Sequence, residues 1–214
     1  MKEKILDYLL NKYNPRCLMS YGSYMRGDYE DSSDFDALLI VDEKEADHDH
    51  SIVDGVQLDC FLYTAAEVED PAKIESFLQA DEAELVRDDG IGKALKERVH
   101  AYIDSHTVTD PAEKESMKAW YRKTLKRIRK CDDEGNYRAA WMLEESLPDY
   151  FVLRDIFFRG SKNGIRYLKE KDPKGYRLFH KAFSQPTADS IQAWILHVIA
   201  EMPGEGKDGA GHDL

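Results

Sequence analysis

The chain has 214 residues, a formal net charge of −12, 34% charged residues and 42% hydrophobic residues. That balance excludes an intrinsically disordered chain and argues against non-specific nucleic-acid binding, which requires Lys and Arg to neutralise phosphates. The length supplies a sizeable core in one large or two small domains. No apolar run reaches membrane-spanning length, residues 1–4 lack a signal-peptide apolar region, and Cys17, Cys60 and Cys131 show no zinc or redox spacing. A reduced, cytoplasmic protein with no membrane partner is the expectation.

Ile5, Leu6, Leu9 and Leu10 recur at helical spacing and predict an amphipathic helix over residues 2–13, ended by Asn14 and Pro15. A short apolar strand, 17–21, delivers the chain to Gly22 and Ser23, and 28–32 is an acidic loop. Residues 34–41 read as the next strand. Asp34 and Asp36 project to one face of it, while Phe35 and Ala37 turn to the other. Adjacent carboxylates repel unless a cation sits between them, and Mg²⁺ is the cation that hard oxygen donors suit. Gly22 lets the backbone approach a phosphate, Ser23 adds a hydroxyl, and the helix N-terminus behind them offers N–H groups. A phosphate cradle beside a divalent-metal site reads as nucleotidyl or phosphoryl transfer.

Asp54 and Gly55 form the residue pair of a primed hairpin turn, with arms at 50–53 and 56–63. Leu58, Cys60 and Leu62 share one face of the second arm; Gln57, Asp59 and Phe61 share the other. Thr64 and Glu67 fit a capping box, which makes Glu67 a cap residue, and Asp70 with Pro71 opens a helix over 71–79. A strand at 84–88 and a helix at 91–105 follow.

Small polar residues ending in Asp110 and Pro111 mark a boundary, beyond which the strand signal vanishes. The expected division is a domain of residues 1–108, a helical domain of 109–203 and a tail of 204–214 that is disordered or a cloning remnant. Met117, Trp120, Tyr121, Thr124, Leu125 and Ile128 mark one face of a long helix. Further helices are predicted at 137–158, 163–171, 173–184 and 187–202, with a kink or break at Pro148. Trp141, Glu144, Leu147 and Phe151 fall on one line, so Glu144 interrupts an apolar stripe. A buried carboxylate there would have a raised pKa and could act as general base, and Glu145 fits almost as well.

Gly22–Ser23, ten intervening residues and then Asp34–Phe35–Asp36–Ala37 resemble the signature of the DNA polymerase β-like nucleotidyltransferase superfamily. Arg26 and Gly27 fit its small bacterial branch, which includes kanamycin nucleotidyltransferase. The resemblance covers roughly residues 15–65. It implies an α/β (α+β) fold, a mixed-sheet nucleotidyltransferase domain followed by a helical bundle packed across the sheet's active face. It also implies a third carboxylate, for which Asp59 is well placed, and a glutamate base from the helical half, Glu144 or Glu145. Asp34, Asp36 and Asp59 would then hold two Mg²⁺ ions. Gly22, Ser23, Arg26 and Ser33 would bind ATP or another nucleoside triphosphate, and a small polar, aminoglycoside-like acceptor is implied. In relatives a homodimer can complete the site.

Other residues leave their alternatives open. Arg26 could reach a β- or γ-phosphate or pair with the acidic loop. Arg154, Arg159 and Lys162 cluster where the second long helix ends, placed to hold a phosphate or acidic group or to cap that helix. The basic run 122–130 is either an RNA contact or a solvated helix face. His48 and His50 lack further zinc ligands at suitable spacing. A catalytically idle binding module is the alternative, because such domains also occur beside helical toxin partners as antitoxins. Arg98 with His100, and Arg177 with His180, are spaced too closely for that toxin motif. An RNA-tailing polymerase conflicts with the acidic balance.

Overall fold

Helix α1 (Lys2–Tyr13) buries Ile5 and Leu9 against a six-stranded sheet in the computed structural model, which describes residues 2–200. The chain divides into two compact units, Met1–Ser105 and His106–Leu214. The expected tail at 204–214 lies outside the described residues.

The first unit runs α1, β1 (Cys17–Tyr21), α2 (Gly22–Arg26), β2 (Phe35–Val41), β3 (His48–Asp49), β4 (Ile52–Val53) and β5 (Val56–Thr64). It continues through α3 (Ala65–Glu69), a 3₁₀ run (Pro71–Asp81), β6 (Glu84–Asp88) and α4 (Ile91–Ser105). The strand order is β3-β5-β2-β1-β6, with β4 paired to β5. Strands β2 and β5 are parallel, and the other pairs are antiparallel. Alternation along the strands sends Leu18, Phe35, Ala37, Leu39, Leu58, Cys60 and Leu62 to the α1 face, where they form one core with Ile5 and Leu9. Cys17, Met19, Leu38 and Ile40 are buried on the opposite face, and α4, α3 and the 3₁₀ run pack on these strands.

Local chemistry accounts for the turns. Asp54 and Gly55 both take positive φ, 52° and 85°, as a primed two-residue hairpin demands. Thr64 and Glu67 form the capping box. Lys44 bonds the same glutamate at 2.7 Å, and this contact with the Thr64 N–H holds the Glu67 carboxyl down at about 2. Asp70 caps the 3₁₀ run by accepting from Ala72 N–H at 3.0 Å.

The second unit is helical: α5 (Pro111–Ile128), α6 (Asp133–Val152), α7 (Ser161–Lys171), α8 (Pro173–Ser184) and α9 (Ala188–Val198). Asp110, Asp132 and Asp172 cap α5, α6 and α8 through side-chain oxygens. Tyr121, Leu125, Met142, Leu147, Tyr150 and Trp194 belong to its core, and the indole N–H of Trp194 donates to Ser146 Oγ at 2.7 Å.

Two helical expectations are corrected. Helix α6 runs unbroken through Pro148, because the proline deprives only the Glu144 carbonyl, on an exposed residue that water can serve. That helix ends at Val152 rather than 158, and Asp155 beyond it adopts φ 52°, which no α-helix accommodates. Among the described residues no helix is long and apolar enough to cross a membrane.

Candidate functional site

At one end of the sheet three side chains stand in a row across three neighbouring strands. Tyr21 on β1 pairs with Asp36 on β2, and Asp36 pairs in register with Asp59 on β5. Paired residues project to the same face, and adjacent strands lie about 4.8 Å apart, so the two carboxylates stand side by side. Burial pushes the Tyr21 phenol up, and the negative charges of Asp36 and Asp59 push it further.

Gly22 follows Tyr21 at φ +74°, and a Cβ at this position would overlap Asp36 Oδ2. Only glycine allows the backbone to cross the carboxylate at this point. The sequence reading of Gly22 as a close-approach residue therefore has a structural counterpart, although what it approaches in the structure is Asp36.

The remaining expected ligands are more dispersed. Asp34 lies one residue outside β2, exposed, and acts electrostatically on Tyr24 together with Tyr29 and Asp31. Among the described residues no three His, Cys, Asp or Glu side chains form a group able to hold a metal ion. The structure thus brings Asp36 and Asp59 together without gathering Asp34 into one closed cluster with them. Such a pair still suits magnesium, which keeps several waters and is commonly held by one or two carboxylates plus substrate phosphates.

Of the groups expected to bind nucleotide, the Arg26 and Ser33 side chains have partners within the acidic loop. Ser23 is buried in the first turn of α2, a helix of only 5 residues, and its carbonyl accepts the Gly27 N–H at 2.9 Å. Arg26 pairs with Asp28 at 3.2 Å, the acidic-loop alternative left open by the sequence. Ser33 Oγ accepts the Glu30 N–H at 2.9 Å and closes the acidic turn. In the second unit, Lys162 is exposed in the first turn of α7. Arg154 serves the helix ends: its guanidinium donates to the carbonyls of Tyr150, His197 and Val198.

Glu144 and Glu145 are both exposed on α6, which corrects the expectation of a buried glutamate. The apolar line itself divides: Trp141 is 44% exposed, whereas Leu147 and Phe151 are buried in the core. The half-buried carboxylate on this helix is Asp149, one turn beyond Glu145 and bonded by the Tyr121 hydroxyl at 2.6 Å. Burial raises its pKa against the Tyr121 bond, and the charge of Glu145 adds to the rise.

Two residues of the first unit had no role at this site in the sequence reading, and His48, expected in a loop before a strand, lies in β3. Tyr21 occupies an odd position of β1, so strand alternation from Cys17 and Met19 gives its face, while its place beside Asp36 comes from the β1–β2 register. His48 Nε2 lies 2.7 Å from Asp59 Oδ1; its strand has only 2 residues, too short for a periodic signal.

Searched by sequence, the chain matches no protein-family model and no curated protein. Among solved structures it is similar to a nucleotidyltransferase-like protein from Exiguobacterium sibiricum, at 10% identity and a TM-score of 0.41, over 93% of this chain and 74% of that one.

Proposed function

We propose that the protein is a metal-dependent nucleotidyltransferase that moves a nucleoside monophosphate from ATP or another triphosphate to a hydroxyl of a small polar acceptor. The observation that carries this reading is the in-register pair Asp36 and Asp59, with the Gly22 backbone crossing directly over Asp36. It is supported by the Gly-Ser…Asp-x-Asp order that precedes it in the chain. In the reaction the acceptor hydroxyl gives up its proton to solvent, its oxygen bonds the α-phosphorus, and the α–β phosphoanhydride bond breaks to release pyrophosphate. Asp36 and Asp59 would hold magnesium, which when bound neutralises charge on the α-phosphate and the leaving group. Asp34, on the exposed approach to β2, would take a second ion arriving with the triphosphate. Gly22 and Ser23 shape the turn that the triphosphate enters, and Arg26 must exchange Asp28 for phosphate oxygens. The formal charge of −12 favours a cationic acceptor such as an aminoglycoside.

The test is incubation with Mg²⁺, α-labelled nucleoside triphosphates and a panel of aminoglycosides and amino alcohols. Labelled adducts that vanish in Asp36→Ala support transfer. No adduct and no pyrophosphate with any pair would contradict it. A second reading, a nucleotide-binding module without turnover, draws on the exposed Asp34 and the Arg26–Asp28 pair. Saturable triphosphate binding without pyrophosphate release would select it.

A further inference from the structure

Asp59 is 40% exposed at the side chain and stands beside a second carboxylate, so repulsion favours its turning away from Asp36. Strand β3, on the side of β5 away from β2, fixes that rotation by holding one Asp59 oxygen on the far side. It consists of His48 and Asp49, paired with Phe61 and Cys60 of β5. Asp49 is buried and anchored by Tyr13 Oη at 2.7 Å, Lys12 Nζ at 3.0 Å and the Ser51 N–H at 2.9 Å. The His48 ring, next in the chain to this anchor, stacks on Phe61 with centroids 4.5 Å apart and planes at 23°. Its Nε2 meets Asp59 Oδ1 at 2.7 Å. A carboxylate only accepts, so Nε2 carries the proton and donates it into this bond. With Oδ1 committed, Oδ2 is the oxygen left to a cation shared with Asp36.

On the metal-dependent reading above, we propose that His48 is the positioning residue of Asp59, a donor that locks its carboxylate in the one rotation that serves a cation at the Asp36–Asp59 pair. Hydrogen-bonded partners of ligating carboxylates are worth about 10- to 100-fold in metal affinity, and His48 supplies that contact from a strand whose only other residue is clamped to α1.

The test is Mn²⁺ binding to the intact chain, followed by the loss of the free-ion EPR signal, with thermal melts run alongside. His48→Phe keeps a ring on Phe61 and removes the donor; His48→Gln keeps an N–H donor. His48→Phe is expected to weaken Mn²⁺ binding at least about tenfold with an unchanged melting temperature, and His48→Gln to stay within about threefold of the parent. His48→Asn, too short to reach Asp59, carries the same expectation if His48→Phe does not fold. Parent-like binding by the donorless variants, while Asp36→Asn and Asp59→Asn lose it, overturns the role of His48 and leaves the metal site standing. Binding that survives both aspartate exchanges, or its absence in the parent, overturns both.

Discussion

Two glycines with nearly the same positive φ separate strain from contact. Gly22 and Gly27 have φ +74° and +80°, but a Cβ on Gly27 meets nothing, whereas one on Gly22 overlaps the Asp36 carboxylate. Gly27→Ala should therefore cost only the left-handed strain, about 1–2 kcal/mol in urea denaturation. Gly22→Ala should cost more and also abolish activity, because Asp36 must move. Equal losses for the two variants would show that Gly22 is a turn residue only. Ser20 offers the opposite case. It is fully buried between strands, and its hydroxyl has no hydrogen-bond partner among the described residues. Leaving such a group buried costs about 1–3 kcal/mol, so Ser20→Ala should hold or raise the urea midpoint; a clear fall would contradict this.

At the scale of elements, α1 is tied to β3 and to Ser51, just ahead of β4, through one carboxylate. Burial alone would raise the Asp49 carboxyl, but the Ser51 and Tyr13 side chains, the Ser51 N–H and Lys12 outweigh it and hold it well below the usual range. The unfolded chain then takes up the proton first. The stabilisation is complete above the unfolded pKa of about 4 and is lost as pH falls through the lower folded value. Asp49→Asn should cost about 2 kcal/mol at pH 7 and flatten the acid limb of the stability–pH curve, measured by urea titration between pH 2 and 7. On α6 the expected effect concerns a neighbour: Glu145→Gln should lower the Asp149 pKa, read by carboxyl NMR titration, since Glu145 contributes to its rise. Strands and caps were legible because their signals are local. The alternation along β5 aimed Asp59 away from Leu58 and Cys60, and Thr64 with Glu67 announced the capping box. Burial of Glu144 was not legible, because an apolar line on a helix does not reveal whether a neighbour covers it; here Trp141 and Glu144 are exposed. Nor was the position of Asp34, since strand alternation holds only where the chain is a strand and β2 begins at Phe35.

Across the whole molecule, the division into two units follows the point where period-two patterning gives way to helical periodicity, because each unit buries its own core. The carboxylate pair was legible in kind but not in its partners. Its two members are 23 positions apart (59 − 36) and meet only through the parallel β2–β5 register, and Tyr21 and His48 reach them through pairings that local patterns do not encode. The most direct measurement is Mg²⁺-dependent release of labelled pyrophosphate from γ-labelled ATP and other triphosphates across the acceptor panel, in the parent chain, Asp36→Asn and Asp59→Asn. Turnover in the parent that falls at least about a thousandfold in both variants, at unchanged melting temperature, is the expected result for loss of a metal ligand. Turnover undiminished in either variant, or none in the parent with any acceptor, would contradict the account.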